Sequence, residues 1–400
     1  MLLTIPMIML LLSIVFLVVR VLPGDPVLLH FEKYENPEAM EAMRHNLGLD
    51  KPLWAQYFDY LFGLLRLDLG KSMQDYSPVA QQIFSAFPAT LELAIYSMII
   101  AVVLGVLLGV RAAKRYNSIE DHSIRGFGII TYAIPIFFLG MIFQLVFGVY
   151  LRWLPTGTRI QPTMEPYGLR IPLQVPQGGF LVVLAWSLIA GLASLPISLA
   201  ILRMKKAKLW PKGIIVAGTA VIAIWLVWSY AAWYFSGLGG VSISTGLYTI
   251  DSLLEGDMVK FVQSVRYLLL PSLTLGLVLC GIFLRLTRSN MLETLRLDFV
   301  TAAKARGLKD GTVTYGYALR NAFLPVLTMM GLQFATLLGG AILTETTFSW
   351  PGLGKYIVER INFRDYTAIQ GAVVFFGVLV ALVSLAVDIL YAFLDPRIRL

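Results

Sequence analysis

The sequence predicts an all-α polytopic membrane protein with about eight transmembrane helices and both termini on the cytoplasmic side. Three observations carry that reading. Of 400 residues, 58% are apolar and only 14% charged, and the mean hydropathy is +0.75, too apolar for a soluble globular chain. Eight apolar segments each run about twenty residues, enough to cross roughly 30 Å of hydrocarbon. Lys and Arg gather in alternate connecting segments.

The expected spans lie near 1–20, 90–112, 127–150, 180–202, 213–235, 267–287, 323–345 and 370–393. The first lacks a basic start and a small-residue cleavage site, so it reads as a retained span rather than a signal peptide. With the N-terminus inside, the cytoplasmic segments Arg111–Arg125, Arg203–Lys212, Arg285–Arg320 and Arg397–Arg399 hold 18 of the 32 basic residues in the shorter total loop length.

Residues 21–89 form the first outside segment. Asn36-Pro37-Glu38 is a helix start, with an N-cap and a proline at the first position, and Gly48 stops that helix. A second helix is expected from Pro52 to about Leu65. Gly70-Lys71-Ser72 ends like a phosphate loop but has Leu65 where the first glycine belongs, and Gly354-Lys355 is followed by Tyr356 rather than Ser or Thr. No ATP site is expected in this chain. Ala101, Gly105 and Gly109, and likewise Gly331, Ala335 and Gly339, place small residues at close-packing spacing.

Covalent chemistry is not expected either. Cys280 is the only cysteine, so no intrachain disulfide can form, and His30, His45 and His122 are scattered without metal-ligand spacing. There is no nucleophile with its base and no paired carboxylates, so no enzyme, metal or cofactor is expected. The net charge of +8 fits basic cytoplasmic loops rather than nucleic acid. Among charges within spans, Glu92 is expected in the first turn of its helix, suiting the dipole, while Arg285 and Asp388 sit near cytoplasmic ends and can snorkel. Gln144 either lines a path or bonds a neighbouring helix.

The polar, basic stretch Asp298–Pro325 organises the chain. Asp298 can cap a short helix, Phe299 to Arg306 makes about two turns, and Gly307 offers a left-handed stop. Asp310 can cap a second helix running into Asn321. The local pattern fits a solvated loop with some helix as well as it fits a docking helix.

T-A-A-K-A-R-G (Thr301–Gly307) followed by A-L-R-N-A-F-L-P (ending at Pro325) resembles the cytoplasmic EAA loop of binding-protein-dependent ABC importer permeases, specifically the dipeptide/oligopeptide/nickel group. Thr301 stands where the broad family has Glu. Further stretches are similar to that group: Pro23-Gly24-Asp25-Pro26, Leu47 to Leu53, Glu345 through Pro351-Gly352-Leu353-Gly354, Arg364-Asp365-Tyr366 and Asp395-Pro396-Arg397.

The resemblance implies a six-helix core plus an inserted two-helix hairpin. It divides the chain into a first span with its outer segment (1–89), two core spans (90–177), the insertion (178–266) and the remaining core (267–400) with its coupling loop at 288–322. Trp228, Tyr230, Trp233 and Tyr234 suit an aromatic belt at the outer end of the insertion. The resemblance also implies an ATPase-coupling role for Phe299, Val300, Thr301, Ala302, Ala303, Lys304, Ala305, Arg306, Gly307, Asn321 and Pro325. Ala302 and Ala303 would allow close approach of the ATPase. Implied partners are a second homologous permease, two ABC ATPase subunits, an extracytoplasmic binding protein and the lipid bilayer of the cell membrane. The implied cargo is di- or oligopeptides, with nickel, glutathione or oligosaccharides as alternatives within the family. An ion-driven secondary transporter would instead need midplane acids and broken helices in repeated halves, which the sequence does not clearly offer.

Overall fold

A computed structural model describes residues 4–21, 40–41, 44–45, 50–66, 68–159, 169–173, 241–243, 245–254, 257–339 and 341–394. The expected spans at 180–202 and 213–235, and the helix start at Asn36, lie outside the described residues. The chain divides into two compact units, residues 1–164 with 262–400, and residues 165–261.

The larger unit is helical. α1 is Thr4–Val21, and α2, Leu53–Leu65, follows directly on Pro52. α3 runs Val79–Lys114, eleven residues earlier in its start than the expected span, with Pro88 tolerated inside it. Glu92 is therefore in the body of the helix rather than its first turn. α4 (Ile119–Ala133) begins at Ser118, whose hydroxyl accepts the Asp121 N–H. α5 (Ile136–Phe143) continues as a π-helical turn, Gln144–Tyr150. The expected straight span at 127–150 is thus broken, with α4 and the following segment bent by 101°. Pro135 is the cause: it holds Ile134 extended at φ −72, ψ 128 and ends the helix before it.

Among the described residues, α7 (Met258–Thr294), α13 (Tyr366–Leu394) and α3 are the three single helices long and apolar enough to cross a membrane. Counting each of two bent pairs as one span raises the number of candidate crossings among the described residues to five. The last expected span before α13 is also interrupted. α10 (Leu324–Leu338) ends there and α11 (Ile342–Thr347) begins anew, followed by α12 (Leu353–Asn362).

The small-residue faces are packing faces. A Cβ added at Gly105 would fall 2.6 Å from Phe283 Cβ, and one at Gly109 would fall 2.7 Å from Thr287 Cβ. α3 and α7 therefore touch nearly backbone to backbone. Gly331 of α10 likewise receives Val387 of α13, at 2.3 Å from a would-be Cβ.

In the smaller unit, β1 (Leu169–Leu173) pairs antiparallel with β2 (Val241–Ile243), a ribbon that the all-α expectation did not contain. α6 (Tyr248–Leu254) follows, with Asp251 accepting from the N–H of Thr245 and of Gly246 at 3.0 Å each.

Candidate coupling surface

α8 spans Asp298–Ala305, with Leu297 at its N-cap in extended conformation. Asp298 is the first helical residue and makes no side-chain cap, which corrects the expected capping role. Its charge still suits the positive end of the helix. Val300 and Ala303, one turn apart, are 0% and 3% exposed. They join Met291 of α7 and Val313, Ala318 and Ala322 of the following segment in the main core. The helix is therefore pinned along one side.

Phe299, Thr301, Ala302, Lys304, Ala305 and Arg306 form the bare side. Ala303 does not belong to it: the i, i+3 spacing from Val300 turns Ala303 inward, so it cannot be an approach surface for a partner. Gly307 closes the helix at φ +72, and a Cβ there would meet nothing within 4 Å, so backbone conformation alone calls for glycine.

A π-helical turn, Thr312–Ala318, and α9, Leu319–Ala322, then lead to α10, Leu324–Leu338. The path bends by 53° beside Pro325, which sits in the first turn of α10 with Asn321 exposed just before it. The second helical stretch carries two exposed rings the sequence analysis passed over, Tyr315 and Tyr317, at 53% and 43% exposure. Exposed Leu297 adds to them. Their signal was large apolar side chains inside an otherwise polar loop.

Asp310 does not act as a cap through its carboxylate. Instead Lys114 Nζ, at the end of α3, donates to it at 2.5 Å. That hydrogen bond holds the Asp310 carboxyl below the usual range. A second tie lies nearby: Arg288 of α7 donates through Nε and Nη2 to the two oxygens of buried Asp121, at 2.7 and 2.8 Å. Asp121 also accepts the Asn117 N–H at 3.0 Å, in the turn between α3 and α4.

Within the N-terminal half of α3, at Thr90, the Glu345 motif forms a buried knot. The Glu345 carboxylate accepts from the Thr90 hydroxyl at 2.7 Å and the Lys355 N–H at 2.9 Å. Gly352 and Gly354 leave room for it, since an added Cβ would lie 2.4 and 2.9 Å from its carboxyl atoms. Trp350 Nε1 donates to Ala89 O at 2.9 Å, while Pro351 is exposed. Glu92 pairs with Arg159 at 2.6 Å, both buried, and Arg159 lies over the Trp350 ring. Gln144 donates to Thr347 O at 3.0 Å, which makes it a tie between segments.

Arg364 takes φ +56, and Asp365 after it is buried. Asp365 accepts the Ala368 N–H at 3.1 Å, which caps α13, and the Ser72 hydroxyl at 2.5 Å. The phosphate-loop lookalike Gly70-Lys71-Ser72 is thus a docking turn for Asp365. Pro23, Gly24, Asp25, Pro26, Asp395, Pro396 and Arg397 lie outside the described residues.

Closely packed helices long and apolar enough to cross a membrane, several times over, place the chain in the class of multi-pass membrane proteins. Residues 101–400 match the family described as binding-protein-dependent transport system inner membrane component, and residues 2–94 match its N-terminal companion. The chain belongs to that family. It is 34% identical to the di/tripeptide transport system permease protein DppB of Pseudomonas aeruginosa, over 96% of this chain and 92% of that protein. The dipeptide permease DppB of Escherichia coli K12 matches at the same identity and coverage. The glutathione transport system permease GsiC of Pectobacterium atrosepticum is 30% identical, over 99% of this chain and 95% of that protein.

Proposed function

We propose that this chain is one membrane half of an ATP-driven importer that passes di- or oligopeptides inward. A second related permease completes the channel, two ATPase subunits drive it, and an extracytoplasmic binding protein delivers the cargo. The observation that carries the coupling part is α8: its inner face is locked by Val300 and Ala303 while its outer face is bare. A helix held this way can transmit a push without rotating in place. Phe299, Thr301, Ala302, Lys304, Ala305 and Arg306 would meet the ATPase, Gly307 would set the exit turn, and Asn321 and Pro325 would aim the return into α10.

The orientation with both ends inside and the two further spans of the 178–266 insertion belong to the same reading, supported by the Lys and Arg distribution and the apolar pattern. Peptide cargo is supported by the names of the relatives, and glutathione, itself a small peptide, is the favoured second cargo because of the GsiC match.

The test is uptake into vesicles containing the assembled complex, with labelled dipeptide and with glutathione. ATP-dependent dipeptide uptake supports the reading. Uptake that ignores ATP and collapses with an ion gradient contradicts it.

A further inference from the structure

The coupling helix α8 is flanked, before it and after it, by ties to one short corner of the chain. The corner is the α3–α4 turn, from Lys114 at the end of α3 to Asp121 in the first turn of α4. On the entry side, Arg288 lies in α7 less than three turns before α8 begins, and its guanidinium grips Asp121 with two hydrogen bonds of 2.7 and 2.8 Å. On the exit side, Asp310 follows Gly307 and receives Lys114 Nζ at 2.5 Å.

The corner itself is stiffened. Ser118 caps α4 by accepting the Asp121 N–H at 3.2 Å, and Asn117, at φ +59, donates its N–H to Asp121 at 3.0 Å. Arg111 pairs with Glu120 across the turn, and Arg125 stands 3.7 Å from Asp121. From this corner α3 runs without a break to Thr90, in its N-terminal half, which holds Glu345 and the Leu353 N–H in the knot. One continuous helix therefore joins the clasp at the loop to the knot at Thr90.

We infer that the Asp121–Arg288 and Lys114–Asp310 pairs are positioning pairs that clasp the coupling loop to α3, so that displacement of α8 moves α3 as one piece. The two pairs differ usefully. Asp121 is buried and its fork of hydrogen bonds fixes direction as well as distance. Lys114–Asp310 is open to solvent, with side-chain exposures of 35% and 70%, so removing it leaves the fold intact. This inference rests on the proposed coupling role of α8.

The experiment uses the full complex, with its ATPase and binding-protein subunits, in vesicles. Uptake and ATP hydrolysis are measured together for Asp310→Asn, Arg288→Lys and Asp121→Asn, with Ala302→Trp as the arm that tests α8 itself. The clasp predicts that Asp310→Asn and Arg288→Lys assemble normally, keep hydrolysing ATP, and lose at least about threefold in uptake per ATP, within the range for substitutions along a coupling path. Arg288→Lys keeps the charge but loses the fork, so it guards against an unfolded Asp121→Asn. A wild-type ratio in both Asp310→Asn and Arg288→Lys overturns the clasp. If Ala302→Trp also keeps the wild-type ratio, the coupling role of α8 falls with it; if Ala302→Trp alone uncouples, α8 stands and only the clasp fails.

Discussion

Thr90 and Glu345, 255 residues apart in the chain, share a 2.7 Å hydrogen bond in the buried interior. The same Thr90 oxygen accepts the Leu353 N–H at 2.7 Å. One hydroxyl therefore serves a carboxylate and a helix start at once. Thr90→Val keeps the shape and removes both bonds. It is expected to destabilise the protein by about 1–3 kcal/mol, the cost of leaving buried polar groups unpaired. Thermal unfolding in detergent reads this, with Thr90→Ser close to wild type. Equal stability of Thr90→Val and wild type would contradict the knot.

Glycine substitutions separate packing from conformation. Gly352→Ala puts a Cβ 2.4 Å from Glu345 Cδ and should lose folded protein outright. Gly307→Ala meets no neighbour but must hold φ +72, costing roughly 1–2 kcal/mol of left-handed strain. Gly126→Ala, helical and with nothing within 4 Å, should be neutral or mildly stabilising. Detergent melting of the three variants should rank Gly352→Ala far below Gly307→Ala, and Gly307→Ala below Gly126→Ala.

The two faces of α8 should respond differently to bulk. Ala303→Leu forces three extra carbons into a site only 3% exposed, so it is expected to cost about 1–3 kcal/mol and lower yield. Ala302→Leu faces outward and should leave melting unchanged. Size-exclusion yield and melting temperature decide between them.

The Lys114–Asp310 tie has a defined pH and salt response. The lowered Asp310 carboxyl means its contribution is full above the unfolded carboxylate range, near pH 4, and is lost as pH falls through the lower folded value. Hydrogen-exchange protection of residues 306–313, corrected for intrinsic rate, should therefore be flat from about pH 5 to 8. At about 1 M salt, where screening acts within roughly 3 Å, protection there should fall. The buried Asp121–Arg288 pair should hold at the same salt.

Local chemistry made part of this legible. Gly307 could be read as a stop because a left-handed residue after two helical turns is a local requirement. The small-residue faces at Gly105, Gly109 and Gly331 were likewise readable from spacing. Pro135 was visible in the sequence, yet the span was drawn through it, because hydropathy averages over a break that the backbone cannot ignore. Pro88, by contrast, stays inside its helix. Capping by Asp298 and Asp310 failed for different reasons: Leu297 took the cap position, and Lys114 took the Asp310 carboxylate. The partners of Glu345, Asp121 and Asp365 lie far along the chain, at Thr90, Arg288 and Ser72, where no local pattern announces them.

The most direct test of the coupling role uses the chemistry of cysteine. The sequence has one cysteine, Cys280, which is buried in α7. A single cysteine placed at Ala302, in the assembled complex, should cross-link to cysteines introduced on the ATPase surface and do so differently with and without ATP. Cysteine at Ala303, buried one position further on, should not. Cross-linking of Ala302→Cys with no response from Ala303→Cys is the predicted result. No cross-link from Ala302→Cys in a complex that hydrolyses ATP and imports peptide would contradict the account.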